Sequence, residues 1–233
     1  LPALQQSKSG YSQPIPVRIL SVAGGAGGNY FYTGYGGGGG GGGVIETDFT
    51  LASGTTYAIT VGAAGNYSSF GSALFSIGGN CGIGANQQGY PGGAKHPPQG
   101  YQGGYSTEYA GAGGGGAGQV GGNAVFPDYG GFGGNGLAST ITGSTTYWGG
   151  GGGGGGSLRF AAGGLGGGGT YGSAGAANTG GGGGAQGAAG GSGTNIMRIL
   201  TFLYTGLITG TTVVTVDGLF TVVKWNSSGT YTA

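Results

Sequence analysis

The sequence predicts a mostly β protein with packed polyglycine-II helices and no α-helix, in which a small β-sheet drawn from both chain ends lies over a glycine-rich helical layer. Three observations lead there. Glycine supplies 71 of the 233 residues, roughly four times the ~7% of an average protein. Residues 14–78 and 196–232 alternate apolar and polar positions, whereas 79–195 is mostly glycine runs separated by short aromatic inserts. Hydrophobic residues make up 36% of the chain and charged ones only 5%, so the high-charge, low-hydrophobicity route to disorder is closed. Collagen is excluded as well, because the glycines keep no three-residue phase and the chain has only seven prolines.

Three segments follow from this organisation: an N-terminal arm over 1–13, a glycine-rich domain over 14–204, and a C-terminal strand segment over 205–233. In the first strand, Val17, Ile19 and Ser21 face one way and Arg18, Leu20 and Val22 the other. Residues 44–51 and 57–61 read as two strands joined through Ala52-Ser53-Gly54-Thr55 as a hairpin. Towards the C-terminus, 197–204, 211–216 and 220–225 are β-branched and aromatic runs broken at Thr205-Gly206 and Asp217-Gly218, the latter a strong turn dipeptide. No helical periodicity survives the glycine density, since each interior glycine costs a helix about 1 kcal/mol relative to alanine.

The glycine runs are 36–43, 113–116, 149–156, 166–169 and 180–184. A run without side chains has no apolar surface to bury, and ordering it costs about 1–2 kcal/mol of backbone entropy per residue. Hydrogen bonds must offset that cost. Polyglycine-II geometry allows this, with three residues per turn, no internal hydrogen bonds, and every N–H and C=O directed outward. Close packing of such helices requires the absence of Cβ, which explains glycine and sometimes alanine where Val or Leu would hold backbones apart. Flexible linkers are the bland reading of the same runs, but the Ser/Thr/charge mixture of linkers is missing and patterned strands flank them.

Chemistry is sparse. The titratable residues are His96, Cys81 and carboxylates at Glu46, Asp48, Glu108, Asp128 and Asp217, without triad or dyad spacing, so no catalysis, cofactor or metal is expected. Glu46 and Asp48 share a strand face, the pattern of a solvated edge. A lone cysteine rules out an intrachain disulfide and is expected to be buried. Gly-x-Gly-x-x-Gly matches are trivial in glycine runs, and no Gly-Lys-Ser/Thr follows one, so a P-loop is excluded. A net charge of +1 offers no field for a nucleic acid or an anionic membrane, no stretch of ~18 apolar residues could be inserted in one, and Asn66 and Asn226 lie in glycan acceptor sequons. The chain starts with Leu1 rather than Met, the pattern of a processed product or a piece of a larger precursor.

Aromatic side chains are concentrated between the glycine runs: Tyr30, Phe31, Tyr32 and Tyr35; Tyr90, Tyr101, Tyr105 and Tyr109 with Lys95 and His96; Phe126, Tyr129 and Phe132; Tyr147 with Trp148. Such rings offer large contact area at low entropic cost, which suits either a hydrophobic lid on the glycine layer or a recognition surface. The candidate receptor-binding residues are Lys95, His96, Tyr101, Tyr105, Tyr109 and Trp148.

Residues 17–28 (Val-Arg-Ile-Leu-Ser-Val-Ala-Gly-Gly-Ala-Gly-Gly), a glycine run, Val44-Ile45, and then 51–62 (Leu-Ala-Ser-Gly-Thr-Thr-Tyr-Ala-Ile-Thr-Val-Gly) resemble the glycine-rich domain of phage tail fibres. The resemblance covers most of 14–204. It also extends in architecture to the polyglycine-II sandwich adhesins at fibre tips, and more remotely to the extracellular glycine-rich domain of anaplastic lymphoma kinase. It implies a non-enzymatic virion-surface fibre or spike module that gives structural support and recognises a host-cell receptor, protein or glycan, through its loops, alongside other copies of itself or fibre subunits. Localisation would be the virion surface or the extracellular space. A secreted or cell-surface filament subunit assembling by strand exchange is the alternative. One departure stands out: a segment like 220–232 precedes the strand like 17–22 in that family, whereas here it is C-terminal. It is therefore expected beside 17–22, in cis or from a neighbouring copy.

Overall fold

The computed structural model describes residues 13–30, 35–72, 74–79, 99–125 and 129–233. In chain order the strands are β1 (Ile15–Val22), β2 (Val44–Leu51), β3 (Thr56–Thr60), β4 (Ser68–Phe70), β5 (Leu74–Ser76), β6 (Leu137–Ser139), β7 (Thr146–Trp148), β8 (Thr194–Leu200), β9 (Thr212–Asp217), β10 (Phe220–Trp225) and β11 (Gly229–Thr232). Helical structure among the described residues is limited to a single 3-10 turn at Thr201–Leu203, with no α-helix. The strands form a five-stranded sheet in the order β2-β1-β8-β10-β9, a four-stranded sheet in the order β11-β3-β4-β5, and the hairpin β6-β7.

The two larger sheets face each other across one core. Ile19, Met197, Val223 and Trp225 come from the first, and Ile59, Phe70 and Tyr231 from the second. Trp225 meets Phe70 edge-on at 6.0 Å, a favoured aromatic geometry. Full burial of each such side chain is worth about 1.5–3 kcal/mol. The opposite face of the five-stranded sheet holds a second core, in which Leu20, Val22, Ile196 and Val222 pack against Ala117, Ile141 and Trp148. This sheet is therefore covered on both faces at its centre, and its central strands β1 and β8 are apolar on both faces for that reason.

Two expectations about pairing are corrected here. Residues 220–232 do not lie beside 17–22, because β1 is flanked by β2 and by β8, with Val17 opposite Ile199 and Arg18 opposite Arg198. Phe220–Trp225 pairs within the chain on the far side of β8, and Gly229–Thr232 joins β3 in the other sheet. The physical reason is that β8, with Ile196, Met197 and Ile199 all buried, needs a central position more than β10 does. Nor do β2 and β3 form a hairpin. The turn at 52–55 closes with the Thr55 amide on the Ala52 carbonyl at 3.2 Å, but it carries the chain from one sheet to the other, so Leu51 and Ile59 meet in the core from opposite sides. The Asp217-Gly218 turn forms as expected: Asp217 pairs with Phe220, and Gly218 sits at φ +59°, where a side chain would be strained.

The glycine runs continue from the strand ends and pack as polyglycine-II helices. The run 149–156 is buried throughout and bonded with a period of three. The Gly150 and Gly153 amides donate to Gly166 and Gly169, those of Gly151 and Gly154 to Gly134 and Gly131, and those of Gly152 and Gly155 to Gly39 and Gly36, all at 2.8–3.0 Å. Its carbonyls keep the same period: Gly149, Gly152 and Gly155 accept from Ala117, Gly114 and Gly111; Gly150 and Gly153 from Gly182 and Ala185; Gly151 and Gly154 from Gly164 and Ala161. Six segments thus surround this central helix, as a threefold helix with radial donors and acceptors requires.

There is no room for a side chain inside. A Cβ at Gly152 would fall on the Gly183 carbonyl oxygen, and one at Gly38 on that of Gly152. By contrast, Gly172 has φ +71° and open space around its Cβ position. Gly152→Val is therefore expected to lower stability beyond the usual overpacking cost of about 1–3 kcal/mol, while Gly172→Ala loses only the left-handed penalty of about 1–2 kcal/mol. Denaturant melts of the two variants check this, and equal effects would contradict backbone-to-backbone packing.

Candidate recognition surface

Hydrogen-bond register places the inserts. Run 36–43 enters β2 at Val44, so Gly43 marks the sheet end of the layer and Gly36 the far end. Gly155 bonds to Gly36, Gly111 to Gly155, Gly131 to Gly111, and Ala161 to Gly154. The segments 105–110, 124–125, 129–130, 156–160, 170–173 and 185–188 consequently gather at one extremity, about 20 Å from the sheet at 3.1 Å per residue. Tyr105, Tyr109, Tyr129 and Phe160 are exposed there, and Phe160 lies stacked on Tyr171 at 3.7 Å and 12°. Tyr109 donates its hydroxyl to Glu108 at 3.0 Å. Bridges from Tyr129 to Val125 and to Arg159 hold this end together, and a recess of about 230 Å³ opens between Val125, Tyr129, Phe132, Arg159 and Phe160.

The residues named from sequence fare differently. Tyr105 and Tyr109 stand at this extremity. Tyr101 is exposed but lower, since its amide bonds Gly116 at 2.9 Å while that of Gly104 bonds Gly113 at 3.0 Å. With three residues per turn, positions four apart are rotated by a third of a turn and separated by about 12 Å, so Tyr101 and Tyr105 do not share a face. Trp148 is corrected: it is 3% exposed, in the core beside Leu20 and Ile196, with the Lys224 ammonium 4.8 Å from its ring centre. Its place at the end of β7, where the chain enters the central glycine helix, demands an inward side chain. Lys95, His96 and Cys81 lie outside the described residues. Arg159, Phe160 and Tyr171 were not singled out from the sequence, although Ser157-Leu158-Arg159-Phe160 interrupts the glycine runs as the named inserts do.

A larger recess of about 470 Å³ lies at the opposite end, on the outer face of the five-stranded sheet. Six of the eleven charged residues share that face: Arg18, Glu46, Asp48, Arg198, Asp217 and Lys224. Arg18 and Arg198 sit directly opposite one another, and each has its own carboxylate, Glu46 at 2.6 Å and Asp217 at 2.7 Å. Arg198 also donates to the Ile141 carbonyl at 3.2 Å and lies 4.3 Å from the Phe220 ring centre. Three cations against three carboxylates leave the face neutral, and its bonds tie the hairpin β6-β7 to the sheet. Glu46 is thus engaged by Arg18, and among the described residues no three metal-ligating side chains come together.

This arrangement defines a class of protein: a β-sandwich from which side-chain-free helices extend to an end formed by aromatic connections. The glycine-rich domain family matches residues 10–200, and the chain belongs to it. No curated protein and no solved structure matches the chain.

Burial beside Trp148 holds the Lys224 ammonium below its ordinary value of 10.5. The unfolded chain therefore binds more protons than the folded one between the lowered value and 10.5, and stability rises with pH across that window. Lys224→Met removes this dependence. Unfolding free energies measured on both proteins from neutral to alkaline pH should diverge in favour of the wild type as pH rises. The comparison cancels Tyr204, whose hydroxyl is held above 10 by burial and by Tyr231 and which acts in the opposite direction. Parallel pH curves would refute a desolvated Lys224.

Proposed function

We propose that this chain is a non-enzymatic structural and recognition module of a virion fibre or spike, with its aromatic extremity presented to a host-cell surface receptor, protein or glycan. The observation that carries the reading is the collection of exposed rings, Tyr105, Tyr109, Tyr129 and Phe160, on connections whose backbones are fixed by the glycine helices beneath. Rigid aromatic anchors lose little entropy on binding, and a side-chain-free stem lets their connections vary without disturbing any packing. The resemblance to phage tail fibres supports the virion-surface setting, and membership of the glycine-rich family is in keeping with it. The alternative of a filament subunit assembling by strand exchange draws less support, because the C-terminal strands pair within their own chain.

Replacing Tyr105, Tyr109 and Phe160 together by Ala tests the reading. Adsorption of the purified protein to a panel of bacterial strains should fall about tenfold or more, since each ring contributes about 0.5–1.5 kcal/mol beyond its buried area, with the melting temperature lowered only by the loss of the Phe160–Tyr171 stack. Retained adsorption with a lowered melting temperature would identify the rings as a lid over the glycine layer instead.

A further inference from the structure

The two edges of the five-stranded sheet are built differently. At one edge, β2 carries Glu46 and Asp48, and an antiparallel copy of itself centred on any residue from 46 to 48 would set carboxylate opposite carboxylate, which repels. At the other edge, β9 reads Thr-Val-Val-Thr-Val-Asp, with no charge before Asp217. Val213, Val214 and Val216 are 49%, 43% and 69% exposed. Val214 and Val216 lie on the core side of the sheet, opposite Val223 and Thr221, yet the four-stranded sheet does not reach over them; Val213 lies on the other side and is equally bare. The strand itself carries none of the devices that blunt an edge, neither lysine, proline nor bulge.

Its hydrogen-bonding groups can be assigned. Asp217 and Phe220 flank a two-residue turn and form a bonded pair, and the Asn226 amide on the Thr211 carbonyl at 2.8 Å continues the same alternation. Residues 211, 213, 215 and 217 therefore face β10, while Thr212, Val214 and Val216 direct their N–H and C=O groups outward. We infer that β9 is the contact through which two copies of this chain join edge to edge, antiparallel about a twofold axis at Val214. In that register Val214 meets its counterpart, Thr212 meets Val216 at both ends, and all three outward residues find bonded partners. Asp217 falls opposite Thr211, so no like charges are brought together. The two five-stranded sheets become one of ten strands, and the bare valines pack across the axis. This inference is independent of what the aromatic extremity recognises.

The test uses the full chain. Sedimentation and light scattering from micromolar to sub-millimolar concentration should show a monomer-dimer equilibrium. Val214→Pro removes an outward N–H without touching the bonds to β10, a position where proline is tolerated, and Val214→Lys places two ammonium groups at the axis. Both variants should be monomeric, with far-ultraviolet circular dichroism and melting temperature like the wild type. Mixing Val214→Lys with Val214→Glu should restore the dimer, because only the register about Val214 sets these residues opposite each other. A wild type that stays monomeric, a dimer that survives both substitutions, filaments grown by joining β9 to β2 of the next copy, or a mixture that fails to associate would each overturn the inference.

Discussion

The absence of Cβ atoms between the central helices is the constraint on which the rest of the structure depends. A hydrogen bond between buried amides contributes a net of about 0.5–1.5 kcal/mol, while ordering one residue costs about 1–2 kcal/mol. The two are of similar size, and a glycine brings no apolar burial to tip the balance. The layer therefore holds only where nearly every amide and carbonyl is paired, as around residues 150–155, and where the helices are already anchored. The anchors are the strands. Val22 passes into Ala23, Gly43 into Val44, Trp148 into Gly149 and Gly193 into Thr194, so the apolar sandwich fixes the inner ends, and the helices extend outward from a border that is already ordered.

A layer whose interior has no side chains pushes all side-chain chemistry elsewhere. Apolar residues at the inner ends, such as Ala117 and Trp148, complete the second core. Most of the charge lies on the outer face of the five-stranded sheet, where each arginine has its carboxylate. The exposed rings of Tyr105, Tyr109, Tyr129 and Phe160 fall on the outer connections. The division separates stability from display: substitutions on the connections leave the threefold packing untouched, whereas a side chain introduced at any of residues 149–154 of the central helix meets a carbonyl oxygen.

Much of this was legible in the sequence, because glycine runs without a linker's polar mixture and strands with period-two alternation each have one good structural solution. The strands at 17–22, 44–51 and 220–225 and the turn at Asp217-Gly218 could be read from local pattern. Their partners could not. Whether Ala52-Ser53-Gly54-Thr55 folds a strand back into its own sheet or across to another depends on which face Leu51 and Ile59 share, a tertiary property. The position of β8 between β1 and β10 likewise follows from competition among strands for two-sided burial, which no single segment reveals. Trp148 looked like its neighbours in the aromatic inserts because composition does not distinguish the inner from the outer end of a glycine helix. That distinction comes from the hydrogen-bond register, which also separates Tyr101 from Tyr105.

The threefold period restricts how such a chain can vary in length. Around run 149–156, each neighbour is met by every third amide or carbonyl, so inserting or deleting one glycine rotates all later donors by a third of a turn and aims them at the wrong helices. Changes within a run preserve the pairing only in multiples of three, and even then the helix grows by about 9 Å and its neighbours must follow. A connection is under no such restriction, since it needs only to leave one helix end and enter another. Runs 36–43 and 149–156 have eight residues each, while the inserts between runs differ in length and composition. Rigid spacing and free variation thus arise from the same geometric rule, applied inside the layer and lifted at its outer end.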